Sequence, residues 1–440
     1  MAFLQPRSED EWIELSNDLF NAVEDTDIEP PSNAPQKLSP AALAPLIDHT
    51  LLAPDATRSQ ITQLCREAAA HNFHAVCVRP QHVAHAVTEL QKLGRVACQG
   101  VKSSSDYELG PSEVGIQSLN SDKKDAAAAG DQSDSQSHCS INVVSVIGFP
   151  VDDRPAKYST EEKKAEAAKA VEDGATELDM VIEYEALVEA SKNEHVRDKK
   201  DPTGKESSGA DSTGGDENPH GKICSDIFAV RQAIPDYIIL KVILETGQLI
   251  FPERCRDWEP QRHDETAPEP VPDRRGERNT RQQYYDRAPS KDLGSSLSYR
   301  LVIQACLICY LAGAQYVKTS TGFHRGSQGK ASGATVDVVR LMTKVCKILH
   351  QQVFENQIPH ARRELSGSRE QRGADNQHQK HQQEQRMRRH VMKVKASGGI
   401  RTLDDVEKMF FLGMADRIGT SGSVGIMKEC EKRKALESGR

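Results

Sequence analysis

Along this chain, short runs of β-branched and apolar residues alternate with longer stretches whose apolar positions recur at helical spacing, which is the pattern of parallel βα units. Eight strands are predicted, over Leu46–Thr50, Ala75–Arg79, Asn142–Phe149, Glu177–Ile182, Ile238–Glu245, Tyr316–Thr319, Val391–Lys395 and Arg417–Gly419. Between them, Thr57-Arg-Ser-Gln60 and Ser159-Thr-Glu-Glu162 have capping-box spacing, and Thr402-Leu-Asp-Asp405 is its aspartate variant, so each predicts a helix start. Gly174-Ala175, Gly313-Ala314 and Gly413-Met414 each close an apolar helix just ahead of a strand, where a left-handed, helix-ending residue is expected. One unit repeated eight times predicts the α/β class and a TIM (β/α)8 barrel.

Polar blocks interrupt the units. A chain of 440 residues would ordinarily suggest two or three domains, but its hydrophobic share is 37% and the polar excess is concentrated. Residues 1–38 read as a disordered, acidic and Pro-rich leader, and 39–440 as a single barrel with insertions at about 102–138, 192–221, 253–296 and 355–390. Each block is too poor in apolar residues to form a core, so disorder or loose loops are expected. The blocks at 102–138 and 355–390 follow a helix and precede a strand, on the barrel face away from chemistry. Those at 192–221 and 253–296 follow a strand, on the active-site face. The stretch Arg362–Arg389 is rich in Arg, Gln and His and reads either as a contact for nucleic acid or an acidic partner, or as a solvated loop. Interspersed glutamates, and no aromatic residue to stack a base, favour the loop.

A formal net charge of −8 and a pI near 6.0 give no global attraction to nucleic acid or an anionic membrane, so any anion site must be local. The N-terminal residues have no long apolar core behind a basic end, and no stretch reaches transmembrane length, which makes the cytosol the default compartment. Ten irregularly spaced cysteines read as free thiols of a reducing compartment. Cys306-Leu-Ile-Cys309 lies inside an apolar helical run and has no second pair to complete a metal site, so it reads as two buried helix cysteines.

The sharpest motif is Tyr316-Val-Lys-Thr-Ser-Thr-Gly322, which places Lys318 near the C-terminal end of an apolar strand. Desolvation and a nearby second cation both favour a neutral amine, the form that attacks a carbonyl. Val394-Lys-Ala-Ser-Gly-Gly-Ile-Arg401 ends the next strand and puts Lys395 at the matching height. In Glu177-Leu-Asp-Met-Val, alternation sends Glu177 and Asp179 to one face and Leu178 and Met180 to the other, which suits Asp179 to proton transfer. Lys241 and Asp48 fall on further strands. Each charge alone reads as an ordinary strand-end group or ion pair; five on separate strands read as a site. Ser397-Gly398-Gly399 after strand seven and Gly419-Thr-Ser-Gly-Ser423 after strand eight occupy the two loops where barrels commonly hold a phosphate.

These motifs, with Leu240-Lys-Val-Ile-Leu-Glu-Thr-Gly247 and Leu46-Ile-Asp-His-Thr-Leu-Leu52, closely resemble in order those of the deoxyribose-phosphate aldolase family. The resemblance implies cleavage of 2-deoxy-D-ribose 5-phosphate to glyceraldehyde 3-phosphate and acetaldehyde by a class I aldolase with no metal or other cofactor. It implies Lys318 as the Schiff-base lysine, Lys395 as the lysine that tunes it, and Asp179 as the carboxylate that relays protons with a water. Lys241 and Asp48 correspond to supporting pocket residues. Cys77 matches a pocket-lining cysteine, although a buried strand cysteine accounts for it equally well. Gly322, Gly398, Gly399, Ser421 and Gly422 align with the phosphate loops. A homodimer or tetramer is implied, and no nucleic-acid or membrane partner.

The chain departs from the family pattern in a longer loop from Gly322 to Ala334, carrying His324, Arg325 and Lys330, and in Ala53-Pro54 after the first motif. The C-terminal tyrosine of some members has no counterpart in Glu437–Arg440. Two other readings stay open on these grounds: a Schiff-base aldolase for another sugar phosphate, and a barrel with a partner-binding or scaffolding role.

Overall fold

In the computed structural model, which describes residues 6, 8–28, 37–97, 140–151, 158–197, 218–250, 297–323, 333–354 and 391–439, eight parallel strands pair in chain order and the last returns to the first. They are β1 Ile47–Leu51, β2 Ala75–Val78, β3 Asn142–Ile147, β4 Glu177–Val181, β5 Ile239–Ile243, β6 Tyr316–Lys318, β7 Lys393–Ser397 and β8 Arg417–Thr420. All eight lie where hydrophobic patterning places them, and the differences at their ends have local causes. Strand β3 stops at Ile147 because Gly148 turns the chain with φ +61°, and β5 stops short of Glu245, which takes φ +55°.

The three expected helix starts are formed by reciprocal bonds. In the first, Gln60 N donates to Thr57 Oγ1 (3.3 Å) and Thr57 N to Gln60 Oε1 (2.8 Å). Ser159 with Glu162, and Thr402 with Asp405, repeat this arrangement. Gly174 and Gly313 take the left-handed conformation, with φ +103° and +83°. Gly413 does not. A π-turn over Lys408–Leu412 shifts the end of its helix, so Gly413 has φ −79° and Met414 takes the left-handed position at φ +58°. Gly413 instead provides room, since a Cβ there would lie 2.7 Å from Met409 O and 2.8 Å from Val339 Cγ1.

Outward strand residues such as Val76, Leu178, Met180, Leu240, Val317 and Ile418 join the apolar faces of the helices in one continuous core. Inside the barrel, Ala75, Cys77, Val144, Val146, Val181 and Ile243 form a second, smaller apolar cluster. Most of the remaining inward strand positions carry charged or polar side chains.

The expectation of a disordered leader is corrected over residues 8–28. Glu9–Asp25 is a helix, started by Ser8 Oγ accepting from Glu11 N (3.2 Å) and by acidic residues in its first turn, where the helix dipole favours them. Trp12, Leu15, Leu19, Phe20 and Val23 form one buried stripe against the helices Pro219–Ala233, Leu297–Leu311 and Val336–Phe354. Glu9 meets His220 Nδ1 at 2.7 Å, and the Arg300 guanidinium lies 4.5 Å from the Phe20 ring centroid. Block composition averages over a helical period, and the acidic face of this helix hid its apolar one.

The insertions expected at 102–138, 253–296 and 355–390, with the Arg362–Arg389 stretch, lie outside the described residues. The block at 192–221 does not leave a strand directly. Helix Tyr184–Arg197 follows β4, and Asn218 caps helix Pro219–Ala233 by accepting from Gly221 N (2.7 Å). Cys306 and Cys309 are buried in helix Leu297–Leu311, where burial pushes both thiols well up. Among the described residues, no helix is long and apolar enough to cross a membrane.

Trp12 is fully buried, so Trp12→Ala is expected to lower unfolding free energy by about 3–5 kcal/mol in urea titrations. A loss below about 1 kcal/mol would show that the leader helix is not part of the folding unit.

Candidate active site

Parallel register delivers the charged side chains of neighbouring strands to one level. Asp179 on β4 is the direct partner of Lys241 on β5, and Lys318 on β6 is the direct partner of Lys395 on β7. Glu177 and Asp179 face the interior while Leu178 and Met180 join the outer core, as strand alternation requires. Gly419 on β8 keeps the path of Lys395 open, since a Cβ there would lie 3.0 Å from Lys395 Cε.

The side chains converge on Asp179. Its Oδ1 accepts from Lys241 Nζ at 2.9 Å, and its Oδ2 accepts from Lys318 Nζ and Lys395 Nζ, both at 2.9 Å. Lys395 also makes an ion pair with Asp48 Oδ2 at 2.5 Å, and Lys241 one with Glu177 Oε2 at 2.5 Å. Glu177 Oε1 lies 3.0 Å from His74 Nε2. Asp48, Asp179, Lys241 and Lys395 are fully buried, and Lys318 is 3% exposed. The structure therefore brings together Asp48, Asp179, Lys241, Lys318 and Lys395, with Glu177 added.

Burial opposes the ionisation of Asp179, yet Lys241, Lys318 and Lys395 outweigh it and hold the carboxyl well below its usual range. Burial likewise opposes the charge on Lys395, but Asp179 and Asp48 hold its ammonium well above the usual value. Lys241 is raised too, burial being overcome by Asp179 and Glu177. Among the described residues, Lys241 and Lys395 each contact two carboxylates, whereas Lys318 contacts only Asp179, which it shares. Lys318 is thus the lysine with the fewest anionic partners in the cluster.

Cys77 is buried beside this cluster in the apolar part of the interior, and burial pushes its thiol up to about 11. A thiol so protonated is a packing group and a poor nucleophile at neutral pH. Above it, Phe323 from the β6 loop packs edge-on against Phe149 beyond β3, with ring centroids 5.2 Å apart. The Arg79 guanidinium lies 5.2 Å from the Phe149 centroid and 5.6 Å from that of Phe323, and donates to Leu52 O and Pro150 O.

Gly398 and Gly399, with φ +89° and +77°, line a cleft of ≈ 350 Å³ together with Gly333, Ala334, Thr335 and Arg401. Gly398 carbonyl oxygen accepts from Ala334 N (2.9 Å), and a side chain at Gly333 would collide with that oxygen. Thr335 precedes helix Val336–Phe354, so the positive end of a helix dipole opens on this cleft. Gly322 lies beside Gly398, but its N–H already donates to Ser320 Oγ (3.0 Å). Gly422 lies against the Arg401 backbone, with its N–H donating to Thr420 Oγ1 (2.9 Å), and Ser421 is exposed. Of the five expected phosphate-loop residues, Gly398 and Gly399 line the cleft, and the other three lie outside its lining. His324, Arg325 and Lys330 fall outside the described residues.

Sequence patterning missed Arg401, the one cation of this lining among the described residues, and Glu177, an anion that neutralises Lys241. Both stood in the quoted motifs, Arg401 behind the paired glycines and Glu177 in phase with Asp179.

No family model matches the chain. A deoxyribose-phosphate aldolase of Coccidioides immitis is 29% identical over 396 residues, covering 90% of this chain and 82% of the relative. One from Natranaerobius thermophilus is 28% identical, covering 87% and 94% respectively. Among solved structures, a provisionally assigned deoxyribose-phosphate aldolase from Coccidioides immitis superposes with a TM-score of 0.53 at 26% identity, covering 96% of this chain and 98% of that one.

The charge cluster gives stability a defined pH dependence. The carboxyls of Glu177 and Asp179 are lowered in the folded protein, so their contribution is complete above about pH 4 and is lost as pH falls through the depressed values. Lys241 and Lys395 are raised, so theirs is complete below about pH 10 and is lost as pH rises through the raised values. Asp179→Asn, which leaves three buried lysines short of an anion, should destabilise by about 3–5 kcal/mol near pH 7 in denaturant unfolding, with the gap narrowing in acid. Equal stability of the two proteins at pH 7 would show that the cluster is not held by this carboxylate.

Proposed function

We propose that the chain is a deoxyribose-phosphate aldolase, as its relatives at 28–29% identity are named, and that it cleaves 2-deoxy-D-ribose 5-phosphate through a Schiff base on Lys318. The observation that carries this reading is the sharing of Asp179 by Lys318, Lys395 and Lys241 inside the barrel, with Lys318 the least compensated of the three. Attack on an aldehyde uses the lone pair of the amine, and Lys318 is the lysine of the cluster that is bound to a single carboxylate among the described residues.

The neutral Nζ of Lys318 attacks C1 of the open-chain sugar to give a carbinolamine, and loss of water gives the iminium. Removal of the C3 hydroxyl proton breaks the C2–C3 bond, releasing glyceraldehyde 3-phosphate, while the electron pair moves onto C2 as an enamine. Protonation of C2 and hydrolysis by water release acetaldehyde and restore the amine. Asp179, bonded to Lys318 and held as a carboxylate, receives and returns protons with a water. Lys395, held charged between Asp179 and Asp48, sets a second cation beside the reactive amine, which is the tuning role proposed for it. Lys241 and Asp48 keep these two groups in place, and Cys77 supplies apolar wall.

The phosphate is assigned to the cleft of Gly398, Gly399 and Arg401, with Gly322 next to Gly398 and Gly422 next to Arg401, and Ser421 is carried only by the family resemblance. Paired glycines allow backbone approach to the oxygens, Arg401 supplies charge, and the start of helix Val336–Phe354 adds dipole. The activity places the protein in the breakdown of deoxyribose phosphates from deoxyribonucleotides.

Borohydride added with substrate is expected to trap a covalent adduct that peptide mapping locates on Lys318, and acetaldehyde release should be greater with 2-deoxyribose 5-phosphate than with other sugar phosphates. Lys318→Ala should abolish both signals. Lys395→Leu should lower turnover by about 10²-fold and shift the pH–rate profile. Absence of any adduct on the folded wild-type protein would sink the Schiff-base reading, and an unchanged profile in Lys395→Leu would remove its tuning role.

A further inference from the structure

Glu245 is a buried carboxylate in a conformation that non-glycine residues rarely adopt, with φ +55°, at the end of the strand next to Lys318. Such backbone costs on the order of 1–3 kcal/mol and persists only where the surroundings over-determine it. Here they do. Leu244 N donates to Lys318 O and Thr246 N to Thr319 O, both at 2.9 Å, so Glu245 is fixed by bonds to the reactive strand on either side. Its Oε1 accepts from Ser320 Oγ at 2.6 Å, and its Oε2 accepts from Thr321 N at 3.1 Å.

Those two bonds set the turn that leaves β6. Ser320 Oγ, while donating to Glu245, accepts from Gly322 N at 3.0 Å, and Ser320 O accepts from Ser397 Oγ at 2.6 Å. The turn is thereby laid against the glycines of the β7 loop. A Cβ on Gly398 would lie 3.2 Å from Ser320 Cβ, and one on Gly322 would lie 3.6 Å from Gly398 Cα.

We propose that Glu245 is a positioning residue for the phosphate end of the substrate, which sets the Ser320–Gly322 turn against Gly398 and Gly399 without touching the ligand. The proposal rests on the aldolase reading for its substrate, but not for its geometry. A carboxylate near an anion site repels that anion, so charge and position predict opposite signs on its removal. Loss of the charge alone would tighten phosphate binding, whereas loss of the position would weaken it.

The test uses the full chain with two variants. Glu245→Gly accepts φ +55° without strain and removes both bonds, while Glu245→Gln keeps the side-chain shape and one acceptor oxygen without the charge. The readouts are KM and kcat for 2-deoxyribose 5-phosphate, the Kd of inorganic phosphate by calorimetry, and the rate of borohydride trapping with acetaldehyde, which has no phosphate. Glu245→Gly is expected to raise KM and the phosphate Kd by about tenfold, with acetaldehyde trapping held within about threefold, and Glu245→Gln to recover part of the loss. Tighter phosphate binding in both variants, or a fall in kcat and trapping at unchanged KM, would overturn the proposal. If the wild-type protein gives no trapped adduct, the aldolase reading fails, and the phosphate Kd series still decides the role of Glu245.

Discussion

One carboxylate shared by three lysines is the interaction on which the interior of this barrel depends. Asp179 sits at the level where β4, β5, β6 and β7 deliver their inward side chains, and it bonds Lys241, Lys318 and Lys395 at once. Several buried ammonium groups without an anion would repel one another in a medium that screens poorly, so the carboxylate is a condition of their being there at all. The other charges follow from it. Asp48 balances Lys395 and Glu177 balances Lys241, which leaves Lys318 with only a share of Asp179. Chemical inequality among three lysines thus arises from the allocation of three carboxylates.

The barrel supports this allocation by dividing its interior. The charged groups rise mainly from β4 to β8 and β1, while Ala75, Cys77, Val144 and Val146 on β2 and β3 line an apolar wall. Over that wall, Phe149, Phe323 and the Arg79 guanidinium pack together, and Lys318 is left 3% exposed. A dry wall beside a charged one strengthens each ion pair and keeps water from competing for the lysines. The glycine cleft stands on the other side, beyond β7, so reactive amine and anion cradle are joined by the turn that Glu245 holds.

Much of this was legible in the chain alone, for identifiable reasons. Strand alternation is strict, so Asp179 and Glu177 could be assigned to one face from five consecutive letters, and the capping boxes of Thr57, Ser159 and Thr402 depend only on residues three apart. Lys318 and Lys395 could be set at one height because each lies at the same place in its repeat, and their pairing in register agrees. The leader helix failed this kind of reading because its acidic and proline-rich surroundings outweighed a five-residue stripe that only a partner surface makes meaningful. Met414 failed it because a π-turn changes the phase of a helix without any mark in composition.

The sequence by itself determined the barrel, the order of its strands and most of the residues that meet inside it, since each rests on local periodicity and on repetition of one unit. Only the tertiary structure decided how the charges are shared. Which lysine has two carboxylates and which has one, which glycines line the cleft and which are already bonded, and where Glu245 anchors a turn all depend on distances between side chains far apart along the chain. Electrostatic energy falls off with separation in space, and no spacing along the sequence encodes that separation until the barrel closes.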